Sequence, residues 1–450
     1  MQKTEGAAPA PEARTASSHA KVCVADWDGI LRGKYLARSK VERALEHGTK
    51  FCEVLFGWDS QDELFEGTSF AGWDSGFGDG ELRLLPETRR NIPYEGGVEL
   101  FLAEFAGRAE AVCPRGVLRR VLERAAASGL TVRGAMEFEF FLFEETPYGC
   151  REKGYSGLKP ISPGSFGYSL LREGVRADLF REIIDVCEEM RLPIEGIHTE
   201  TGPGVVEAAL SHTDALEAAD RATLFKTVVK ILAQRRGLMA TFMARWSNEW
   251  PGQSGHMHLS VLRDGHPAFH DAGGELGFSG TIRAFIAGQL ALLPELAVMV
   301  APTVNSYKRL VPGYWAPTTA TWGIDNRTCA IRAIPGGPES LRVEFRVSGA
   351  DVNPYLAFAS AIGAGIWGIE RGLQPPPPVT GNAYEQALGA APRLPVDLRE
   401  AAASFLRSDA ARDLFGETFV DHYGAARVWE AERLARLVSN RELERYFEII

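Results

Sequence analysis

The chain has 450 residues, of which 45% are hydrophobic and 24% charged, as expected of a soluble globular protein with a large core. Forty-nine Lys and Arg against 59 Asp and Glu give a net charge of -10, so neither nucleic acid nor an anionic membrane is an expected partner. The six cysteines are scattered, with no Cys-x-x-Cys pair, which indicates neither a zinc site nor a disulfide framework and favours a cytoplasmic location.

Length favours two or three domains. Residues 1–20 are rich in Ala, Pro, Ser and Glu and lack the apolar segment of a secretory signal, so a disordered tail is expected. Residues 21–108 contain the strand-like runs KVCVADWDG, KFCEVLFGW, ELRLLPE and VELFLAEF, separated by Gly-rich turns, which predicts a small α+β domain.

Helices and strands alternate over residues 109–450, which predicts a second, larger domain. The strongest predicted helices are 114–128, 178–190, 212–237 and 430–450. The apolar segment 284–302 is interrupted by Gln289, Pro294 and Glu295, so it predicts a core helix and a loop rather than a membrane span.

Three predicted strands carry one apolar and one unusually polar face. In AMEFEFFLF, 135–143, strand alternation puts Glu137 and Glu139 on one side and phenylalanines on the other. The same alternation groups His256, His258 and Ser260 in SGHMHLSV, and Arg342, Glu344 and Arg346 in LRVEFRV. A sheet with one face in water would explain a single such strand. The combination of His, Glu and Arg without any Lys instead favours a site that binds cations and phosphates.

Two more acids, Glu200 and Glu207, flank a Gly-Pro-Gly loop and could by themselves be ordinary loop residues. With Glu137, Glu139 and Glu344 they make five carboxylates, and His256 adds a nitrogen ligand. Oxygen-rich sites with few imidazoles favour Mg²⁺ or Mn²⁺ over zinc, and five carboxylates favour two ions.

Arg309, Arg327 and Arg332 lie in the turn-rich segment 305–335. Loop arginines are commonly surface charges, but beside a site with many carboxylates they indicate a clamp for a transferring phosphoryl group. The residues alone therefore predict an enzyme of phosphoryl transfer or ligation that uses ATP and Mg²⁺.

Several segments in this order resemble the glutamine synthetase family over nearly the whole chain after residue 20. They are FEGTSFAGW, AMEFEF, ETGPGVVE, SGHMHLS, NSYKRLVPGY, DNRTCAIR and RVEFRVSGADVNPYLAFA. The resemblance implies a β-grasp-like N-terminal domain, residues 21–108, and a catalytic α/β domain with a curved antiparallel sheet, residues 109–450. It also implies a homo-oligomer of stacked rings, a dodecamer, whose active sites are shared by neighbours.

The family's reaction implies roles for these residues. ATP phosphorylates the γ-carboxylate of glutamate, and an amine then displaces the phosphate. By resemblance, one ion would be held by Glu139, Glu200 and Glu207, and another by Glu137, His256 and Glu344. Arg309 and Arg346 would grip glutamate, Arg327 would stabilise the phosphoryl group in transfer, and the nucleotide side would comprise His258, Ser260, Arg332 and Arg342.

The chain departs from the family where the second substrate, the amine, would bind. Trp315, in PGYWAP, stands where the family usually has a Glu that deprotonates ammonium, and Glu66, in FEGTS, replaces the usual Asp. An indole cannot accept a proton, but it can line an apolar pocket or contact an alkylammonium. Tyr168 matches the tyrosine of this pocket, and Glu66 or Glu81 would hold the ammonium end or act as base. The loop PGQSG, before the histidines, is also altered.

These departures predict a glutamate–amine ligase whose substrate is a polyamine, ethanolamine or an alkylamine. A true glutamine synthetase that manages without the usual Glu is the first alternative, and losing a general base should cost about 10²–10⁴-fold in rate. A non-catalytic, ring-forming family member is the second alternative, but such a protein should have lost metal ligands that are all present here.

Overall fold

The computed structural model describes residues 17–386 and 391–450. The N-terminal part forms a six-stranded sheet, in which β1 and β6 run parallel and the other pairs antiparallel. Its strands are β1 (His19–Ala25), β2 (Leu31–Ala37), β3 (Thr49–Cys52), β4 (Asp79–Leu84), β5 (Arg90–Ile92) and β6 (Val98–Phe105). The first strand thus begins two residues inside the segment expected to be disordered; residues 1–16 of that segment lie outside the described residues.

The second sheet has ten strands in the order β14-β15-β16-β12-β7-β9-β8, with β10, β11 and β13 paired at its margins. Its strands are β7 (Leu130–Phe143), β8 (Ile194–Thr199), β9 (Val205–Leu210), β10 (Thr213–Asp214), β11 (Met239–Thr241), β12 (Gly255–Arg263), β13 (His266–Pro267), β14 (Trp322–Ile324), β15 (Ile331–Ile334) and β16 (Arg342–Phe345). All of its ladders are antiparallel except β14 with β15, so the predicted antiparallel catalytic sheet is confirmed.

Helices pack against the two sheets. They are α1 (Arg38–His47), α2 (Pro114–Ala127), α3 (Pro147–Glu152), α4 (Leu170–Val175), α5 (Ala177–Glu189), α6 (Ala215–Arg235), α7 (Gly280–Val300), α8 (Ser306–Arg309), α9 (Pro354–Glu370), α10 (Ala383–Gln386), α11 (Leu398–Leu406), α12 (Asp409–Phe415), α13 (Glu417–Ala435) and α14 (Asn440–Tyr446). The predicted single helix over 430–450 is wrong, because Ser439 caps a new helix by accepting a bond from Glu442 N while Glu442 bonds back to Ser439 N.

The apolar face of the second sheet packs on α6. The ring centroids of Phe138 and Phe140 each lie 6.1 Å from that of Phe225, and Phe242 stacks on Phe140 at 5.2 Å. All four rings are buried. Burial on this scale stabilises by roughly 1.5–3 kcal/mol per side chain. Strand alternation therefore turns Glu137 and Glu139 away from the core.

The helix α7 packs along α9 in the core. It is long and apolar enough to cross a membrane, but most of its length is buried inside the protein. Pro294 lies within α7 and does not end the helix, so the predicted loop after the core helix begins later than expected. The two helices touch where Gly288 faces Gly368, since a Cβ at Gly288 would lie 2.7 Å from the Gly368 Cα.

The N-terminal sheet is tied to the rest of the chain by buried contacts. Asn353, the N-cap of α9, donates to the carbonyls of Asp26 and Trp27 at 2.8 and 3.2 Å. The ring of Trp27 also packs on His422 of α13, with centroids 4.6 Å apart. The two sheets and their helices confirm the α+β class, while the division into domains 21–108 and 109–450 stays a prediction.

The α7–α9 contact gives a stability prediction. Gly288→Ala places a methyl group against the α9 backbone, and such overpacking should lower the free energy of unfolding by about 1–3 kcal/mol. The matched control is Gly280→Ala, at the first residue of the same helix, where a Cβ meets nothing within 4 Å. Thermal unfolding should give a Tm several degrees lower for the first variant only. Equal Tm values would contradict the proposed close contact.

Candidate functional site

Strand register brings the polar residues of five strands to one face of the second sheet. Directly paired across neighbouring strands are Glu139 with Glu207, Glu137 with His256, His258 with Glu344, and Arg332 with Glu344. Paired side chains on one face are about 4.5–5.5 Å apart at their Cβ atoms. The alternation read from the sequence is therefore confirmed, and residues far apart in the chain form one continuous polar surface.

The first cluster consists of Glu139, Glu200 and Glu207. Burial, followed by repulsion from Glu139 and Glu137, raises the pKa of Glu207 to about 9. Burial also raises the pKa of Glu139, although its Oε2 accepts a bond from Ser254 N at 2.6 Å. No ion pair links these three carboxylates to a Lys or Arg in the described part of the chain. Such crowded, unneutralised carboxylates fit a divalent cation.

The second cluster consists of Glu137, His256 and Glu344. His256 Nδ1 lies 3.3 Å from Glu344 Oε1 and 3.9 Å from Glu137 Oε2, while its Nε2 is buried without a hydrogen-bond partner in the described structure. Burial, then the charge of Arg346, holds the pKa of His256 well below its usual value. The imidazole is therefore neutral, the form that binds metals.

Glu344 differs from the other carboxylates because arginines already neutralise it. Its Oε1 pairs with Arg346, and its Oε2 accepts a bond from Arg332 Nη1 at 2.9 Å. Burial alone would raise the pKa of Glu344, but the neighbouring His256, Arg346, His258 and Arg332 outweigh that effect and hold it well below its usual range. The second cluster therefore carries less net negative charge than the first.

His258 has a different hydrogen-bonding role from His256. Arg342 Nε donates to its Nδ1 at 3.1 Å, which places the ring proton on Nε2, only 3.0 Å from Glu137 Oε1. Glu137, His258 and Glu344 offer ligand atoms within 4.8 Å of one another, so His258 is a second candidate nitrogen ligand, and a metal bound at its Nε2 would replace that proton. His258, Ser260 and Arg342 line one cavity of about 300 Å³ beside Glu137. Three of the four predicted nucleotide-side residues are thus brought together, while Arg332 lies on Glu344 and Asp325.

The three predicted substrate arginines lie in different settings. Arg309 is buried and donates to Val347 O at 2.8 Å and to Ser254 Oγ at 2.9 Å, and burial lowers its pKa to about 10. Arg346 is also buried, and its Nε donates to the carbonyl of Arg327 at 3.2 Å. The side chain of Arg327 is exposed to solvent. The buried pair thus frames the site, and Arg327 remains available to a ligand.

The residues predicted for the amine side are spread over loops. Tyr168 stacks on His198, with ring centroids 4.5 Å apart, and Trp315 is 56% exposed in the loop after α8. Glu66 and Glu81 are exposed in the N-terminal part, and Glu81 lines a surface cleft with Lys50. Among the described residues, no hydrogen bond, ion pair or shared cavity joins Glu66 or Glu81 to the carboxylates. One chain alone therefore does not assemble the whole predicted site.

Two residues of this surface were not singled out from the sequence. Ser254, in the altered PGQSG loop, links Glu139 through its backbone N–H and Arg309 through its hydroxyl. His198 contacts both Glu200 and Glu207 at 3.9 Å. Its position two residues before Glu200 was a usable signal, because residues i and i+2 share a strand face.

The chain belongs to the glutamine synthetase family. The family model described as "Glutamine synthetase, catalytic domain" matches residues 111–446, which include both carboxylate clusters and the nucleotide-side cavity.

Curated relatives match almost the whole chain. "Type-1 glutamine synthetase 2" of Dictyostelium discoideum is 44% identical over 96% of this chain and 84% of its own length. "Glutamate--isopropylamine ligase" of a Pseudomonas species is 37% identical over 94% of both chains. "Gamma-glutamylethanolamide synthetase" of Streptomyces coelicolor is 39% identical over 94% of this chain and 91% of its own length. Among solved structures, the "GmaS/ADP complex" superposes with a TM-score of 0.83 and 26% identity, covering 96% of this chain and 97% of that one.

The protonated state of Glu207 gives a prediction for the metal-free protein. Because its pKa is raised from 4.5 to about 9, the folded protein keeps a proton that the unfolded chain releases. This contribution to stability is complete below about pH 4.5 and is lost as the pH rises through about 9. We therefore expect Tm to fall between pH 6 and pH 9, and Mn²⁺ to raise Tm more at pH 9.

The variant Glu207→Gln should show a smaller fall in Tm over the same range, because it has no carboxyl to ionise. Glu42→Gln, on the exposed side of α1, is the control and should behave as wild type. A Glu207→Gln profile parallel to that of wild type would show that repulsion at this carboxyl does not govern the pH dependence.

Proposed function

We propose that this protein is an ATP-dependent ligase that joins an organic amine to the γ-carboxylate of glutamate through γ-glutamyl phosphate. The observation that carries the proposal is the pair of carboxylate clusters, brought together by strand register, beside a cavity lined by His258, Ser260 and Arg342. Sites that combine divalent ions with fixed arginines suit transfer of a phosphoryl group, whose charge they stabilise.

The clusters define which residues would hold the ions. Glu139, Glu200 and Glu207 would hold one, and Glu137, His256 and Glu344 the other. Mg²⁺ and Mn²⁺ both suit this oxygen-rich set, and when bound they would neutralise the phosphate oxygens of ATP. Neutral His256 keeps the second set ready for a cation.

The protein's own groups then position the two substrates. Arg309 and Arg346 would orient the carboxylates of glutamate, and Arg327 would lie against the phosphoryl group in transfer. An oxygen of the γ-carboxylate attacks the terminal phosphorus and ADP leaves. The amine nitrogen next attacks the acyl carbon, phosphate leaves with the bonding electrons, and the nitrogen gives up a proton to a base.

We propose that Glu66, or Glu81, supplies that base from a neighbouring subunit. Within the described residues neither is joined by a hydrogen bond or ion pair to the clusters of its own chain, whereas a ring of subunits could bring the N-terminal part of one chain to the catalytic sheet of the next. Stacked rings of twelve subunits in the cytoplasm are the assembly and location that we propose for this family member.

Trp315 favours an organic amine over ammonium. The indole replaces a proton acceptor with an apolar surface, against which a carbon chain can pack. Relatives named for isopropylamine and ethanolamide ligation support the same class of substrate. Glutamine synthesis is the second candidate, favoured by the name of the Dictyostelium relative. A non-catalytic role is not supported, because the ligand set is complete.

The direct test is phosphate release by the purified protein with ATP, Mg²⁺ and glutamate. The panel comprises ammonium, methylamine, isopropylamine, ethanolamine, putrescine and spermidine. We expect kcat/KM for one organic amine to exceed that for ammonium at least tenfold, which is about 1.4 kcal/mol of transition-state preference. Reactions without glutamate give the background. If ammonium gives the highest kcat/KM, the protein is a glutamine synthetase.

The role of Trp315 is tested by Trp315→Glu. Restoring an acid at this position should shift the preference toward ammonium by tenfold or more, because a carboxylate attracts the small cation and accepts its proton. Tyr314→Glu adds the same charge one residue away and serves as the matched control. An equal shift in both variants, or none in either, would remove Trp315 from the explanation of specificity.

A further inference from the structure

His198 lies in one row with two of the carboxylates. The β8–β9 register pairs His198 with Glu207, and the β7–β9 register pairs Glu207 with Glu139. Glu200 follows His198 by two residues, just beyond the end of β8. The imidazole therefore belongs to the same polar face as the first cluster.

The spacing of the ligand atoms suits a shared cation. His198 Nε2 is 3.9 Å from Glu207 Oε1, and one ligand atom from each of His198, Glu200 and Glu207 lies within 4.8 Å of the others. These separations are too long for direct hydrogen bonds. An ion at roughly 2.0–2.6 Å from each atom fits between them.

Neighbouring groups fix the ring orientation of His198. Its Nδ1 lies 3.2 Å from the carbonyl of Thr199, so a proton donated there leaves the Nε2 lone pair free. A hydrogen bond of this kind commonly orients a histidine that binds metal through its other nitrogen. The ring also stacks on Tyr168, whose backbone N–H donates to the same carbonyl at 2.7 Å.

We propose that His198 Nε2 is a nitrogen ligand of the ion held by Glu200 and Glu207, an inference that rests on the proposed metal site. Each of the two clusters then contributes one imidazole. Replacing an oxygen ligand by imidazole moves the preference of a site from Mg²⁺ toward Mn²⁺ and later transition metals. The competing role is a protonated His198 that pairs with the carboxylates and takes no part in binding the ion.

The test uses the full-length, metal-free protein with Mn²⁺ alone and counts bound ions by electron paramagnetic resonance. His198→Phe keeps an aromatic ring against Tyr168 but removes the nitrogen. We expect the affinity for one Mn²⁺ to fall tenfold or more while the other site is unchanged. His266→Phe, on the exposed β13 hairpin, is the control and should bind as wild type does.

The ligand atom itself is seen by pulsed paramagnetic resonance, which detects ¹⁴N bound to Mn²⁺. In a His256→Asn background the nitrogen coupling should persist, and adding His198→Phe should abolish it. His198→Asp should recover binding with a smaller preference for Mn²⁺ over Mg²⁺.

Two outcomes would overturn the inference in distinguishable ways. If His198→Phe binds Mn²⁺ as tightly as wild type and the nitrogen coupling is lost with His256→Asn alone, His198 is not a ligand and the metal site stands. If the wild-type protein binds no Mn²⁺, both the proposed metal site and the role of His198 are wrong.

Discussion

The structure depends on an electrostatic constraint, the crowding of carboxylates on one face of the catalytic sheet. Glu139 and Glu207 are direct neighbours across two strands, and Glu200 lies at the adjoining turn. In the folded chain burial, and then repulsion by the surrounding acids, raises the pKa of Glu207 to about 9, so this carboxyl remains protonated near neutral pH. The phenylalanines on the reverse face of β7 pack on α6, and the β7–β9 ladder keeps the backbones of Glu139 and Glu207 adjacent. A bound cation is the simplest way to relieve the repulsion between them.

The two clusters differ in how their negative charge is balanced. Glu344 lies between Arg346 and Arg332 and is ionised with protein groups as its partners. The first cluster has histidine at its edge but no arginine in ion-pair contact within the described residues. The first cluster therefore carries more uncompensated negative charge, while the second is partly balanced, and in the proposed function its ion would be the one shared with the phosphates of ATP. This division follows from where the arginines lie along β15, β16 and the loops between them.

The polar face was predictable because strand alternation is a local rule. Alternation alone puts Glu137, His256 and Glu344 on the polar faces of their own strands, whereas their grouping across strands came from the resemblance to the family. The pairing of strands was not predictable in this way, so the contact of His198 with Glu207 depended on the β8–β9 ladder, although its spacing from Glu200 was visible in the sequence. The proton position on His258 likewise depends on Arg342, which is 84 residues away in the sequence.

The same reasoning explains the error at the C-terminus. Helical periodicity continues through residues 430–450, but the Ser439 side chain offers the backbone a competing hydrogen bond and starts a second helix. The proposed sharing of sites between subunits is also invisible to local patterns, because Glu66 and Glu81 are ordinary exposed acids within one chain.

The residues proposed to hold ions and transfer the phosphoryl group lie on a different part of the fold from those proposed to select the amine. The carboxylates, His256 and the buried arginines lie on or against paired strands, where the backbone is held by ladders and cannot shift independently. Tyr168 and Trp315 lie on loops, and both have a left-handed backbone, with φ of 52° and 59°. That conformation costs of order 1–3 kcal/mol for a residue with a bulky side chain. Each of these two loops restricts the backbone of its aromatic residue, and a change of loop sequence can alter the proposed amine pocket without disturbing the sheet that carries the proposed metal site.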